Sequence, residues 1–148
     1  MPYSHILVPS DGSELSRRAI AHAVQLASRL GARLTFLHVH AHVPLPLGGL
    51  GEALEPRTME ALIAAGLQES DRILEEALVQ AEQANVPARC ERVPGDLPHR
   101  GILSTAARLG CDLIVMASHG RRGLSGLLIG SETQRVLAEA PCPVLVHR

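Results

Sequence analysis

The sequence predicts an α/β protein: a doubly wound, five-stranded parallel sheet in the order 3-2-1-4-5, with helices on both faces. Three observations predict it. Five short apolar runs alternate with four stretches of helical periodicity. The core is aliphatic: hydrophobic residues make up 46% of the chain while aromatics are 1%, Tyr3 and Phe36, which suits a parallel sheet covered on both faces. The third run is the most polar of the five, which sets it at an edge and favours this order over 2-1-3-4-5.

Ser4–Pro9 (SHILVP) is a short apolar run and reads as a buried strand. Asp11-Gly12-Ser13-Glu14 breaks it, and Ser13 can cap the helix that follows. Ala19, Ile20, Ala23, Val24, Leu26, Ala27 and Leu30 recur at helical spacing, and Gly31 closes that helix. Arg33–His40 is the second strand. The Pro/Gly-rich stretch from Val43 to Pro56 is a loop. Arg57 to Ala84 is a long helix whose apolar stripe (Leu62, Leu67, Ile73, Leu74, Ala77, Leu78, Ala81) is assigned to the core.

Ala88–Val93 is the third strand, Pro94-Gly95-Asp96 a turn, and Pro98–Leu109 a third helix ended by Gly110. Asp112–Ala117 (DLIVMA) is continuously apolar and therefore central. Ser118–Gly126 is a polar, glycine-rich loop, and Leu127–Ala140 contains the fourth helix. Pro141-Cys142-Pro143 stops that helix before the fifth strand, Val144–His147. No internal repeat or second domain is visible, so residues 1–148 read as one domain.

Composition excludes several chemistries. The net charge is −1, so no broad basic surface advertises nucleic acid, and stacking platforms are missing. All 14 basic residues are arginine. Without lysine, a GxxxxGK[ST] phosphate loop and Schiff-base catalysis are both ruled out. Three widely spaced cysteines, Cys90, Cys111 and Cys142, give no disulfide framework. Each lies in or beside an apolar run and is assigned to the interior. No run reaches the roughly 20 apolar residues that span a bilayer. The first strand-like run begins without a signal-peptide core, so a soluble cytoplasmic protein is the expectation.

Open α/β sheets bind ligands beyond the carboxyl ends of the strands where the winding reverses. In this order the point lies between strands one and four. The loops that follow them, Pro9-Ser10-Asp11-Gly12 and Ala117 to Gly130, look least like ordinary connectors. Glycines let a backbone approach a phosphate and turn N–H groups inward. Gly130-Ser131 stands at the start of the fourth helix, whose N-terminus carries unpaired N–H groups. Ser131 and Thr133 add hydroxyls, and Arg121 and Arg122 add charge. The alternative is a plain glycine turn with solvated arginines. Asp11 is either an acceptor for base or ribose, an indirect metal contact, or a cap for the first helix.

Other residues are ambiguous. His38, His40 and His42 alternate as one face of a strand would, but no Cys, Asp or Glu cluster accompanies them, so no metal is assigned. His119 either shapes the phosphate loop or faces solvent. Residues 43–56 are either a lid or a surface loop.

Several segments together resemble the universal stress protein family, over nearly the whole chain. They are Ile6-Leu7-Val8-Pro9-Ser10-Asp11-Gly12-Ser13, Leu37-His38-Val39, Gly110-Cys111-Asp112-Leu113-Ile114-Val115-Met116, Ser118-His119-Gly120 through Gly130-Ser131, and Ala140-Pro141-Cys142-Pro143-Val144-Leu145-Val146. ATP-binding members of that family carry G-x2-G-x9-G-[ST]. The pattern falls here on Ala117, Gly120, Gly130 and Ser131, with Ala117 in place of the first glycine. A methyl there costs little where φ is negative.

The resemblance implies an adenine nucleotide alpha hydrolase-like fold, ATP with Mg²⁺ as ligand, and a regulatory role in the stress response. It implies that Pro9, Ser10 and Asp11 line the adenosine end and that Val39 touches adenine. Met116 and Ala117 would lie near the ribose, and Gly120, Arg121, Gly130, Ser131 and Thr133 would hold phosphates. It further implies a homodimer paired through Val144–His147, an apolar edge of the kind that invites pairing. Two alternatives stay open: a slow ATPase or phosphotransfer enzyme, and a dimeric interaction module that binds no nucleotide.

Overall fold

A computed structural model gives the fold and describes residues 3–41, 55–119 and 128–148. Its strands are β1 (His5–Pro9), β2 (Arg33–His40), β3 (Ala88–Pro94), β4 (Leu113–Ala117) and β5 (Val144–His147). Between them run α1 (Glu14–Leu30), α2 (Pro56–Gln83), α3 (Pro98–Leu109) and α4 (Ser131–Glu139). The five strands are parallel and ordered β3-β2-β1-β4-β5. This is the order that the polar third strand predicts, and β3 is only partly covered along its length.

Alternation along the strands divides the interior into two layers. Ile6, Val8, Leu34, Phe36, Leu113 and Val115 point to one face and meet Ile20, Ala23, Val24 and Ala27 of α1 and Leu74, Ala77 and Ala81 of α2. Leu7, Leu37, Ile114 and Met116 point to the other and meet Ile102 and Ala106 of α3 and Val136 of α4. Each helix end has a local cause. Ser13 accepts the N–H of Ser16 to start α1, and Gly31 and Gly110 end α1 and α3 in the left-handed conformation. No described helix is long and apolar enough to cross a membrane.

Two expectations need correction. The stripe of α2 enters the core only from Ser70 onward, and Leu62 is 46% exposed. At 28 residues the helix is about 42 Å long, and it outruns an eight-residue strand of about 26 Å. The cysteines are not all interior: Cys111 is buried, Cys142 half-buried and Cys90 exposed on the edge strand. Within the Leu127–Ala140 stretch α4 begins at Ser131, with Gly130 as its N-cap, where Gly130-Ser131 is expected to open it. Most of the Val43–Pro56 stretch lies outside the described residues.

Candidate functional site

A cavity of about 530 Å³ opens at the carboxyl ends of β1, β2 and β4. Its walls include Pro9, Ser10, Asp11, Val39, Met116, Ala117, Gly130, Ser131 and Thr133, all anticipated from the sequence. Gly120 and Arg121 lie outside the described residues, as does Arg122. Sequence reasoning missed the opposite wall, Pro98 and Ile102 of α3, and also Ser16 and Glu132, whereas His119, read as shaping the loop or facing solvent, lines the cavity too.

The turn after β1 is built around Asp11. The Ser10 N–H donates to Leu37 O at 2.8 Å, which extends the sheet into the turn. Gly12 follows at φ +78°, a left-handed position that glycine adopts freely. The Asp11 carboxylate then accepts from the Ser13 N–H at 2.9 Å and the Ser16 hydroxyl at 2.7 Å, both on Oδ1. Asp11 therefore ties down the start of α1 and lines the cavity at the same time.

The connection from β4 to α4 depends on a close backbone approach. The Gly130 N–H donates to Ser118 O at 2.7 Å. A Cβ on Gly130 would stand 3.2 Å from that oxygen and 3.4 Å from His119 Cα. Gly130 has φ −60°, so the demand is for space, not for unusual dihedrals. The Thr133 hydroxyl donates to Ala117 O at 3.0 Å, and Gln134 Nε2 donates to Ile129 O at 2.7 Å. These bonds fix the start of α4 against the end of β4. That start carries no side-chain cap, and the first N–H groups of a helix have no partner within it. The helix N-terminus therefore presents donors and partial positive charge to the cavity that Ser131 lines. Ala117 sits inside β4, and among the described non-glycine residues Asn85 has positive φ while Ala117 does not. Its methyl is accommodated without strain.

Glu132 links the two helices that flank the cavity. Its Oε2 accepts from the His99 backbone N–H at 2.7 Å and lies 2.9 Å from His99 Nδ1. This supplies α3 with the N-terminal acceptor that Leu97, at its cap position, cannot provide. His119 pairs its Nδ1 with the Ser118 hydroxyl at 3.0 Å, which agrees with a loop-shaping role. The described walls carry two carboxylates, Asp11 and Glu132, and no arginine.

His38 turns away from the cavity and bonds Ser70 of α2 at 2.7 Å. Among the described residues no three His, Cys, Asp or Glu side chains gather as a metal site, and His42 lies outside them.

Comparisons with known proteins agree with this architecture. The model of the universal stress protein family matches residues 2–148. A universal stress protein of Thermus aquaticus is 36% identical over 146 residues, covering 99% of each chain. The structure of UspA from Lactobacillus plantarum superposes with a TM-score of 0.81 at 30% identity, covering 100% of this chain and 99% of the other. Two more distant structures share the fold. One is a universal stress protein in complex with cAMP, at TM-score 0.74 and 23% identity over 100% and 99% of the two chains. The other, from Archaeoglobus fulgidus, is in complex with dAMP, at TM-score 0.68 and 21% identity over the full length of both. The fold is thus adenine nucleotide alpha hydrolase-like, and the chain belongs to the universal stress protein family.

Proposed function

We propose that this chain is a regulatory protein of the stress response that holds an adenine nucleotide between the ends of β1 and β4. One observation carries the reading: a single cavity joins an apolar slot to a helix N-terminus. Leu37, Val39, Ile102 and Met116 give the slot surfaces suited to a base. Asp11, which lines the cavity, would accept from a ribose hydroxyl or a base amine. The start of α4, with Ser131, suits phosphate. The volume of about 530 Å³ lies within the usual range for small-molecule sites.

On this reading the ligand is ATP with Mg²⁺. The Mg²⁺ would be held chiefly by phosphate oxygens and water, with Asp11 and Glu132 as the nearby carboxylates, because no described cluster forms a protein cage for it. The site retains nucleotide and does not turn it over rapidly, since no lysine steadies a leaving phosphate. A second reading is an adenosine monophosphate as resident ligand. The relatives in complex with cAMP and dAMP support it. The half-buried strand β5, paired only to β4 among the described strands, is the proposed homodimer edge.

Mass spectrometry of nucleotide released from gently purified protein tests the reading and separates its two forms. ATP or ADP supports the first form, and AMP or a cyclic monophosphate the second. If no nucleotide is released, and calorimetry shows no heat with ATP–Mg²⁺ or with AMP, the proposal is wrong.

A further inference from the structure

The pole of the sheet opposite the cavity carries a second polar cluster. His5 opens β1, Arg33 and Thr35 lie on β2, and Arg89 lies on β3. The register pairs His5 with Arg33 and Thr35 with Arg89. His5 and Thr35 stand two residues before Leu7 and Leu37, so the cluster shares the face covered by α3 and α4. His5 and Thr35 are fully buried, at 1% and 0% exposure, while both arginines are exposed.

The hydrogen bonds order this group. A guanidinium can only donate, so Arg33 Nη2, 3.3 Å from His5 Nδ1, makes that nitrogen the acceptor. The ring proton then sits on Nε2, 2.8 Å from Thr35 Oγ1. Arg89 Nε donates to the same hydroxyl at 3.3 Å. Two guanidinium groups are therefore held in place by neutral acceptors on a buried His–Thr pair. Each retains further N–H donors.

Neither arginine makes a direct ion pair with a described carboxylate, although Asp112 lies in the same cluster. Arg17, Arg18, Arg72, Arg92, Arg108 and Arg135 each have a carboxylate within 4.0 Å. Arg33 and Arg89, like Arg29, Arg57, Arg100 and Arg148, have none among the described residues. The neighbouring carboxylates are engaged elsewhere. Asp112 accepts the Ser4 N–H and hydroxyl at 2.8 Å each and the His5 N–H at 3.0 Å. Glu91, two residues along β3 from Arg89, accepts from Arg108 at 3.0 Å. Burial holds the His5 titration below its usual range, and the charges of Arg33 and Arg89 lower it further against the opposing Asp112.

We propose that Arg33 and Arg89 form a second anion site, at the pole remote from the nucleotide cavity, that takes a phosphate group, free or as a small monoester. Paired guanidinium forks match tetrahedral oxyanions in geometry as well as charge. Thr35 and His5 set the spacing of the forks. A phosphate bound there offsets the arginine charges felt by His5 and eases its protonation.

The test is an NMR titration of the full chain with inorganic phosphate, with sodium chloride at equal ionic strength as control and glycerol 3-phosphate as a second arm. Saturable shifts of the His5 ring and of the Thr35 and Arg89 amides are expected, with the His5 titration moving upward. A tighter response to glycerol 3-phosphate would identify a monoester as the natural source, and an equal one free phosphate. Arg33→Gln and Arg89→Gln should each weaken binding about tenfold, with amide spectra otherwise unchanged, and Arg89→Lys should retain part of it. A drift that chloride reproduces, an undiminished response in both glutamine variants, or shifts confined to Gly130 and Ser131 would each overturn the proposal.

Discussion

The carboxylate of Glu132, in the first turn of α4, holds His99, in the first turn of α3, by both its backbone N–H and its ring. The two helices flanking the cavity are thus joined at their N-termini. Replacing Glu132 with Ala leaves the start of α3 without an acceptor and should cost about 1–2 kcal/mol. Glu132→Gln keeps an oxygen acceptor but loses the charge, and should cost less than half as much. Urea denaturation of the two variants against the parent measures both.

Gly130→Ala places a methyl 3.2 Å from the Ser118 carbonyl, so the ligand-free protein should lose about 1–3 kcal/mol as the loop after β4 is pushed aside. Gly130→Val should in addition abolish nucleotide binding. The clash lies with the protein's own backbone, so lost affinity must come with a lowered Tm of the free protein. Lost affinity at unchanged Tm would mean that the side chain obstructs only the ligand.

Thr133 donates its proton to the Ala117 carbonyl, which reduces what it can offer a phosphate. Thr133→Val leaves that buried acceptor unpaired and should cost about 1–2 kcal/mol. Thr133→Ser should restore most of the stability. Denaturation midpoints of the pair check this.

The base of β1 makes the fold sensitive to acid. Burial, then the charges of Arg33 and Arg89, hold the His5 titration below its ordinary value of 6.5. The folded state therefore favours neutral imidazole. The stability this contributes is complete above pH 6.5 and is lost as pH falls through the lowered value. Asp112 is also lowered from its ordinary 3.8: burial acts to raise it, but hydrogen bonds from His5 and Ser4 outweigh that. Its contribution is lost below that pH, in a separate and more acidic window. His5→Gln should flatten the upper window of a urea-midpoint profile and leave the lower one in place.

Much of this was legible in the sequence because it is encoded by neighbours along the chain. The polarity of β3 placed it at an edge, the unbroken apolar run of β4 placed it at the centre, and the glycines at 31 and 110 marked helix ends. The loops after β1 and β4 stood out because their residues look least like those of ordinary connectors. The α3 wall was not legible, since Pro98 and Ile102 reach the cavity only through the crossover that packs α3 against β2 and beside α4. Nor was Glu132, because an acidic residue in a first turn reads as a partner of its own helix dipole, not as a cap for another helix. The misassigned part of α2 has a geometric cause: periodicity reports that a helix has an apolar face, not how far the sheet beneath it extends. Cys90 is similar, with apolar neighbours in sequence but an edge strand in space.

The most direct test of the central claim is amide chemical-shift mapping with AMP and then with ATP–Mg²⁺. A nucleotide held between the ends of β1 and β4 should move Asp11, Val39, Ala117, Gly130 and Ser131 together and saturably. No saturable change with either ligand, or changes that spare Val39 and Ser131, would contradict it.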